Sequence, residues 1–303
     1  MKMRDVGLSK RLSQYAVQAM LYEVTATPKP GLVDRGNSGA HRDMDIFTFM
    51  GSSASLAHYF FQCSHQTQSY LDSTGPGEAD CRELFGILRG LGLEAERSMF
   101  DATNGVNTHK GLIFSLGIIV SAAAYSLCRS GCPDPDIHDI CSVVCALTEG
   151  ICDKDFKGVE GKAFHTAGEK LYLQHGIKGI RGEAEKGYPI VRDVSYPVMK
   201  ELMERSGHPI NDIFVQVLFH IMAVLEDTNV LNRHDMGVLE EVQAAAQEVL
   251  GLGGVFTEAG RESILELDRL FIERNISPGG AADLLAVTIF FHLLDVQTAR
   301  EEV

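Results

Sequence analysis

Two things are scarce in this chain. Strand signals are the first: no run of alternating apolar and polar residues bounded by hairpin turns occurs in its 303 residues, which argues against a sheet-based fold. Positive charge is the second. Lys and Arg number 27 against 41 Asp and Glu, a formal net charge of -14. Nucleic-acid binders displace phosphate counterions with a basic face, so DNA and RNA are not expected partners. The same acidity constrains any polyphosphate ligand. Cations must be concentrated at its site, or metal ions must bridge carboxylates and phosphates.

Other absences narrow the setting. The N-terminal stretch MKMRDVGLSKRLSQYAV holds no apolar signal core, and the seven cysteines are an odd count. Together these point to a reducing cytoplasm. Five cysteines fall between Cys128 and Cys152. Their spacings, Cys128/Cys132 and Cys141/Cys145, are helical i,i+4 steps rather than the two-residue knuckles of zinc sites. They read as small hydrophobes on helices. A charge-free run covers 112–128 and sits at the short limit of a membrane span. It also carries Ser115, Gly117, Ser121 and Ser126, so it reads as a buried central helix, and no membrane association is expected.

What is present is helical periodicity. Leu12, Tyr15, Ala16, Ala19 and Met20 recur at three- and four-residue steps, with Ser9 as N-cap. Further helices are expected over 45–63, 83–100, 112–128, 137–152, 162–174, 192–205, 210–225, 236–250, 258–273 and 278–298. The last opens with Ser277-Pro278, a cap followed by proline at the first helical position. The segment 64–80, with Thr74-Gly75-Pro76-Gly77, reads as a loop. No repeat or low-complexity segment interrupts the pattern. The expected fold is all-α: a single compact domain over 1–303, with about ten helices.

Gly, Asp, Asn and His collect in six polar knots at the ends of apolar helices: PKPGLVDR (28–35), GAHRDMD (39–45), NGVNTHKG (104–111), RGEAEKGYP (181–189), EDTN (226–229) and SPGGAAD (277–283). A loop that only joins two helices needs one cap and one glycine. Six loops this rich in donors, acceptors and charge are expected to converge on one site.

The strings TPKPGLVDRGNSGAHRDMD, GVNTHKGLIFSLG, GIKGIRGEAEKGYPIVRD, LEDTNVLNR and SPGGAADLLA, in that order, resemble the triphosphoribosyl-dephospho-CoA synthase family. The resemblance runs from about Tyr15 to about Leu294. It implies an all-helical fold and a pentosyl transfer from ATP to dephospho-CoA. A ribose hydroxyl of dephospho-CoA attacks the anomeric carbon of ATP, adenine leaves, and the triphosphate stays on the sugar. The product is the prosthetic-group precursor for the acyl carrier subunit of citrate lyase or malonate decarboxylase.

That chemistry needs a carboxylate near an oxocarbenium-like centre, a base for the hydroxyl, a proton source for adenine and cations or Mg²⁺ for four phosphate charges. Lys29 and Arg35 are expected on phosphates and Asp34 on metal or the nucleophile, unless Asp34 only caps a turn. Asp43 and His41 are candidates for catalysis, Asp43 also for metal; Asp45 either joins them or caps the helix at Ile46. Asn107, His109 and Lys110 stand at a helix N-terminus, where anions are favoured. Arg181 is expected on phosphate and Glu183 as base. Glu226, Asp227 and Asp283 are candidate Mg²⁺ ligands, with Arg233 as an alternative counter-charge or substrate contact. Ser277, Gly279 and Gly280 offer amides to phosphate. A homo-oligomer is allowed. Two other readings fit the same parts: an Mg²⁺-dependent N-glycoside hydrolase acting on a nucleotide, and a nucleotide-binding protein without turnover.

Overall fold

The structure, a computed structural model, describes residues 6–75, 79–130, 136–162, 164–205 and 207–301. Its described residues form fifteen α-helical segments and no strand. In chain order these are α1 (Val6–Thr25), α2 (Ile46–Ser55), α3 (Ala57–Thr74), α4 (Cys81–Ala102), α5 (Lys110–Ser130), α6 (Ile137–Thr148), α7 (Ile151–Phe156), α8 (Ala167–His175), α9 (Gly179–Glu185), α10 (Tyr196–Arg205), α11 (Ile210–Met222), α12 (Thr228–Arg233), α13 (Met236–Gly251), α14 (Glu258–Arg274) and α15 (Gly279–Glu301).

The charge-free run becomes α5, buried from Leu112 to Ser126 apart from Phe114. It packs against α1, α3, α4, α6 and α15, while α15 packs against α1, α5, α10 and α11. Both helices are long and apolar enough to cross a membrane by length and composition, and both lie mostly inside the fold. Burying a Leu, Ile or Val side chain contributes about 1.5–3 kcal/mol, so this pair is the thermodynamic centre. Gly117 permits the closest approach. A Cβ there would stand 1.9 Å from the Tyr59 hydroxyl, which donates to the Ile113 carbonyl at 3.0 Å.

The helix count exceeds ten for identifiable reasons. The 45–63 pattern breaks at Leu56 into α2 and α3. The 137–152 pattern breaks at Gly150, which adopts φ 72°. Two of the polar knots are themselves helical, as α9 and α12. The 162–174 helix starts only at Ala167, where Thr166 and Glu169 form a capping box; Ala163 lies outside the described residues. The 192–205 helix opens with a π-turn over Val191–Ser195. Pro197 follows, with no N–H to return to the preceding turn.

Two local expectations are corrected. Ser9 is not a cap: α1 begins at Val6, and the buried Ser9 hydroxyl donates to Ser64 at 3.2 Å. Residues 64–74 are not a loop, because buried Ser64, Thr67, Gln68, Tyr70 and Leu71 carry α3 on to Thr74; Pro76 and Gly77 lie outside the described residues. Among the cysteines, Cys141 and Cys152 are buried, and burial pushes both thiols up to about 12. They behave as protonated apolar groups. Cys132 lies outside the described residues.

Gly117→Ala is expected to destabilise the fold by about 1–3 kcal/mol, because the new methyl overpacks against Tyr59. Denaturant unfolding measures this, and Tyr59→Phe in the same background should recover part of the loss by removing the clashing oxygen. An unchanged unfolding midpoint for Gly117→Ala would refute the close α3–α5 approach.

Candidate active site

The polar knots meet at a cavity of about 670 Å³. Every one of the six contributes to its wall. Leu32 and Val33 come from the first, His41 and Met44 from the second, and residues 107–111 from the third. Gly182, Glu183 and Lys186 come from the fourth, Glu226 to Asn229 from the fifth, and Ser277, Gly279, Gly280, Ala282 and Asp283 from the sixth. The acids on the wall are Glu23, Glu183, Glu226, Asp227 and Asp283, and the cations are Lys110, Lys178, Lys186 and Arg233.

Four expected site residues point elsewhere. Lys29 is only 1% exposed. Its ammonium donates to the Glu23 carboxylate and, at 2.8 Å, to the Glu23 carbonyl. The Asp34 carboxylate accepts from the amides of Lys29, Gly36 and Asn37 at 3.0, 2.6 and 3.0 Å, so it locks its own loop. Arg35 is exposed and donates to Asn211 at 3.1 Å. Arg181 donates to Asp155 at 2.9 Å and lies over the Phe156 ring. Lys29, Asp34 and Arg181 are satisfied by nearer partners inside the fold, and Arg35 is solvated beside Asn211.

His41, Arg233 and Ser277 form one corner of the cavity. The His41 ring contacts Ser277 Oγ at 3.0 Å and Arg233 at 3.4 Å. Burial and then Arg233 push its pKa down, opposed by Asp43. Asp43 lies 3.9 Å from the ring and is 64% exposed, at the rim. Arg233 also donates to the Ala40 carbonyl at 3.2 Å. Asp45 caps α2 through a capping box with Thr48, so it is not part of the site.

The buried Asp227 carboxylate caps α12, accepting from Asn229 at 2.8 Å and Val230 at 3.3 Å. It also accepts from the Ala281 amide at 2.9 Å and from the Gly280 amide. Of the amides expected to bind phosphate at Ser277, Gly279 and Gly280, that of Gly280 is already used by Asp227. A Cβ on Gly280 would stand 3.0 Å from this carboxylate, and one on Gly279 3.0 Å from Asn229. Burial raises the Asp227 pKa, and the amides offset part of that shift. Glu226, next door, is exposed at the rim.

Asp283, one turn into α15, lines the cavity and packs against Gly111 at the start of α5, where a Cβ would meet its Oδ2 at 2.2 Å. No hydrogen bond from the described residues reaches its carboxylate. Burial, Glu23 and Asp227 together push its pKa well above the ordinary carboxylate range. Glu183 accepts weakly from the Ile190 amide at 3.4 Å, and burial raises its pKa, with Glu226 acting in the same direction. It precedes Tyr188, a buried non-glycine residue at φ 53°.

The third knot splits its roles. Asn107 accepts from the Lys110 amide at 3.2 Å and caps α5. Lys110 is 54% exposed and pairs with Glu96 at 2.8 Å. His109 is 2% exposed. Its Nδ1 contacts Ser52 Oγ at 2.7 Å, Phe49 meets its ring edge-on, and its Nε2 has no partner among the described residues. Glu23, Phe49, Ser52 and Lys178 escaped the sequence reading. A charged Glu23 on the apolar face of α1, four residues after Ala19, was the one available signal.

One polar cavity in an all-helical fold, walled by desolvated acids and by cations, defines an enzyme that handles a phosphorylated ligand. The chain belongs to the ATP:dephospho-CoA triphosphoribosyl transferase family, whose profile matches residues 9–302. It is 43% identical over 290 residues to the "Probable 2-(5''-triphosphoribosyl)-3'-dephosphocoenzyme-A synthase" of Lactiplantibacillus plantarum, covering 94% of this chain and 97% of that one. It is 40% identical over 276 residues to the 2-(5''-triphosphoribosyl)-3'-dephosphocoenzyme-A synthase of Klebsiella pneumoniae, covering 90% and 87%. The chain is thus a transferase of that family.

Asp283 carries a pH signature. A carboxyl whose pKa is raised by folding binds its proton more tightly in the fold. Stability is therefore fullest below the ordinary carboxylate range and is lost as pH rises toward the folded-state pKa. Asp283→Asn keeps the shape without the charge, so it should be more stable than the parent at neutral pH. The gap should widen between pH 4.5 and 7.5, by up to about 1.4 kcal/mol per pH unit. Denaturant unfolding at the two pH values measures it, and a pH-independent gap would remove the desolvated acid from the site.

Proposed function

We propose that this chain moves the triphosphoribosyl group of ATP onto a ribose hydroxyl of dephospho-CoA and releases adenine, as the names of its relatives state for them. The observation that carries the reading is the convergence of six polar loops on one cavity walled by both acids and cations. A C–O bond forms at the anomeric carbon and the C–N bond to adenine breaks. The hydroxyl proton is taken up by a base, and a proton reaches the departing adenine, so the two transfers balance.

Of the four catalytic candidates, His41 and Glu183 line the cavity while Asp34 and Asp43 do not. Glu183 is the better base, since its raised pKa brings it nearer neutrality. His41, held against Arg233, orients that guanidinium toward phosphate. Lys110, Lys178, Lys186 and Arg233 supply the phosphate counter-charge, and Ser277 and Asn107 add polar contacts.

Among the described residues no three His, Cys, Asp or Glu side chains form a protein-only metal cage. Mg²⁺ rarely needs one: it keeps water and phosphate oxygens and takes one or two carboxylates. Asp283, with no hydrogen-bonded partner among the described residues, and Glu226 at the rim fit that role, with Asp227 behind them. Bound there with ATP, the ion would neutralise phosphate charge. The whole chain serves this one site, in the cytoplasm.

Purified protein given ATP, Mg²⁺ and dephospho-CoA should release adenine in step with a triphosphoribosylated product, both seen by chromatography and mass spectrometry. ADP or AMP as the only nucleotide product would overturn the reading. Adenine released without dephospho-CoA would make the chain a hydrolase, and binding without turnover a nucleotide-binding protein. Excess chelator should abolish the reaction and added Mg²⁺ restore it; full activity in chelator would sink the metal assignment. In the same assay Arg233→Ala should raise the KM for ATP about tenfold or more, the loss of a charge-assisted contact. An unchanged KM would exclude Arg233 from phosphate binding.

A further inference from the structure

The ring of His109 is buried, and one of its two nitrogens, Nε2, has no hydrogen-bond partner among the described residues. Thr108 Oγ1 donates to Ser52 Oγ at 2.8 Å, and Ser52 Oγ lies 2.7 Å from His109 Nδ1. Having accepted the Thr108 hydrogen, Ser52 keeps its own hydrogen to donate, and Nδ1 lies within reach of it. In that pairing Nδ1 is the acceptor and the ring proton resides on Nε2. That Nε2 has no partner among the described residues, although an unpaired buried donor costs about 1–3 kcal/mol. The main-chain amide of the same residue points to the Met99 sulfur at 3.2 Å. The arrangement suits the Nε2–H tautomer, and that N–H meets no acceptor among the described residues.

The surroundings choose the ligand. Burial, with the Lys29 charge close by, pushes the His109 pKa down to about 3. A ring that stays neutral does not attract phosphate as a cation would. Of the cavity's cations, Lys178, Lys186 and Arg233 stand on other segments, and Lys110, next to His109 in the chain, is 54% exposed and paired with Glu96 at 2.8 Å. One aromatic ring lies directly against His109. Phe49 meets its ring at 4.9 Å and 81°, and Phe49, Met44 and Val33 line the same cavity. Phe49 is itself partly exposed, and His109 lines the same cavity. A flat apolar face beside one neutral N–H donor suits a heteroaromatic base with ring-nitrogen acceptors.

We propose that Thr108 and Ser52 are positioning residues that hold His109 as a neutral Nε2–H donor to a ring nitrogen of the ATP purine. The inference rests on the transferase reading. As the C–N bond breaks, electron density moves into the purine. The Nε2–H bond to its ring nitrogen then strengthens, with the proton remaining on Nε2 throughout. This is stabilisation of a leaving group by a preorganised donor.

The test uses the full chain with ¹⁵N-labelled histidine. NMR should show Nδ1 unprotonated and Nε2 protonated for His109 from pH 8 down to about 5. Adenine should shift the Nε2–H signal and inorganic tripolyphosphate should not. With Ser52→Ala the tautomer preference should weaken. The kcat/KM for ATP should fall roughly tenfold, with KM for dephospho-CoA unchanged. 7-Deaza-ATP and 3-deaza-ATP each remove one ring acceptor. One of them should be a roughly tenfold poorer substrate for the parent protein, and His109→Phe should lose that discrimination. An Nδ1–H tautomer, an Nε2 signal indifferent to adenine, or full discrimination retained by His109→Phe would each overturn the proposal. If His109→Phe fails to fold, the spectrum of the parent protein and the Ser52→Ala kinetics decide. Adenine release by the parent protein is recorded in the same reactions. Its absence defeats the transferase reading, whereas its presence with no His109 response defeats the inference alone.

Discussion

The arrangement of the cavity depends on where the Asp227 carboxylate is held. One buried group accepts from the first turns of two helices, α12 and α15. Hydrogen bonds to a charged acceptor are worth about 1.5–3 kcal/mol each, enough to offset much of the cost of burying it. The contact fixes α12, which carries Arg233, against α15, which carries Asp283 and is led by Ser277. His41 then finds Ser277 on one side and Arg233 on the other. A Cβ at Gly280 would press within 3.0 Å of this carboxylate, so glycine leaves it room.

Behind this pivot sits a second buried interaction, the Lys29–Glu23 ion pair. Its Coulombic gain is set against the desolvation of both partners, so such a pair contributes little net stability. Its consequence is electrostatic. Glu23 raises the pKa of Asp283, and Lys29 lowers that of His109. The buried pair thus adjusts the proton affinity of two residues on the cavity wall.

The site is also where local rules are broken. Tyr188 takes a positive φ, the chain widens into a π-turn three residues later, and Asp283 sits among other acids with no hydrogen-bonded partner among the described residues. Stable folds keep such violations few and concentrate them where binding or chemistry requires them. Elsewhere the chain is orthodox: Asp80, Asp136, Asp235 and Thr257 each cap a helix.

The sequence alone determined the fold class and the membership of the site as a set of loops. Helical periodicity is a local property, and the charge-free 112–128 run could only be buried once no strand or membrane context competed for it. Six knots rich in Gly, Asp and His marked the cavity because ordinary connections need few such residues. Which side chains face inward was decided only in three dimensions. Lys29, Asp34, Arg35 and Arg181 carry the right charges, but each found a closer partner: Glu23, its own loop amides, Asn211 and Asp155. Conversely, Glu23 and Ser52 sit within helical patterns and looked like scaffold. They reach the site because α1 and α2 pack beside the starts of α5 and α15. A charge pairs with whatever the fold brings within a few ångströms, and that distance is not written in spacing along the chain.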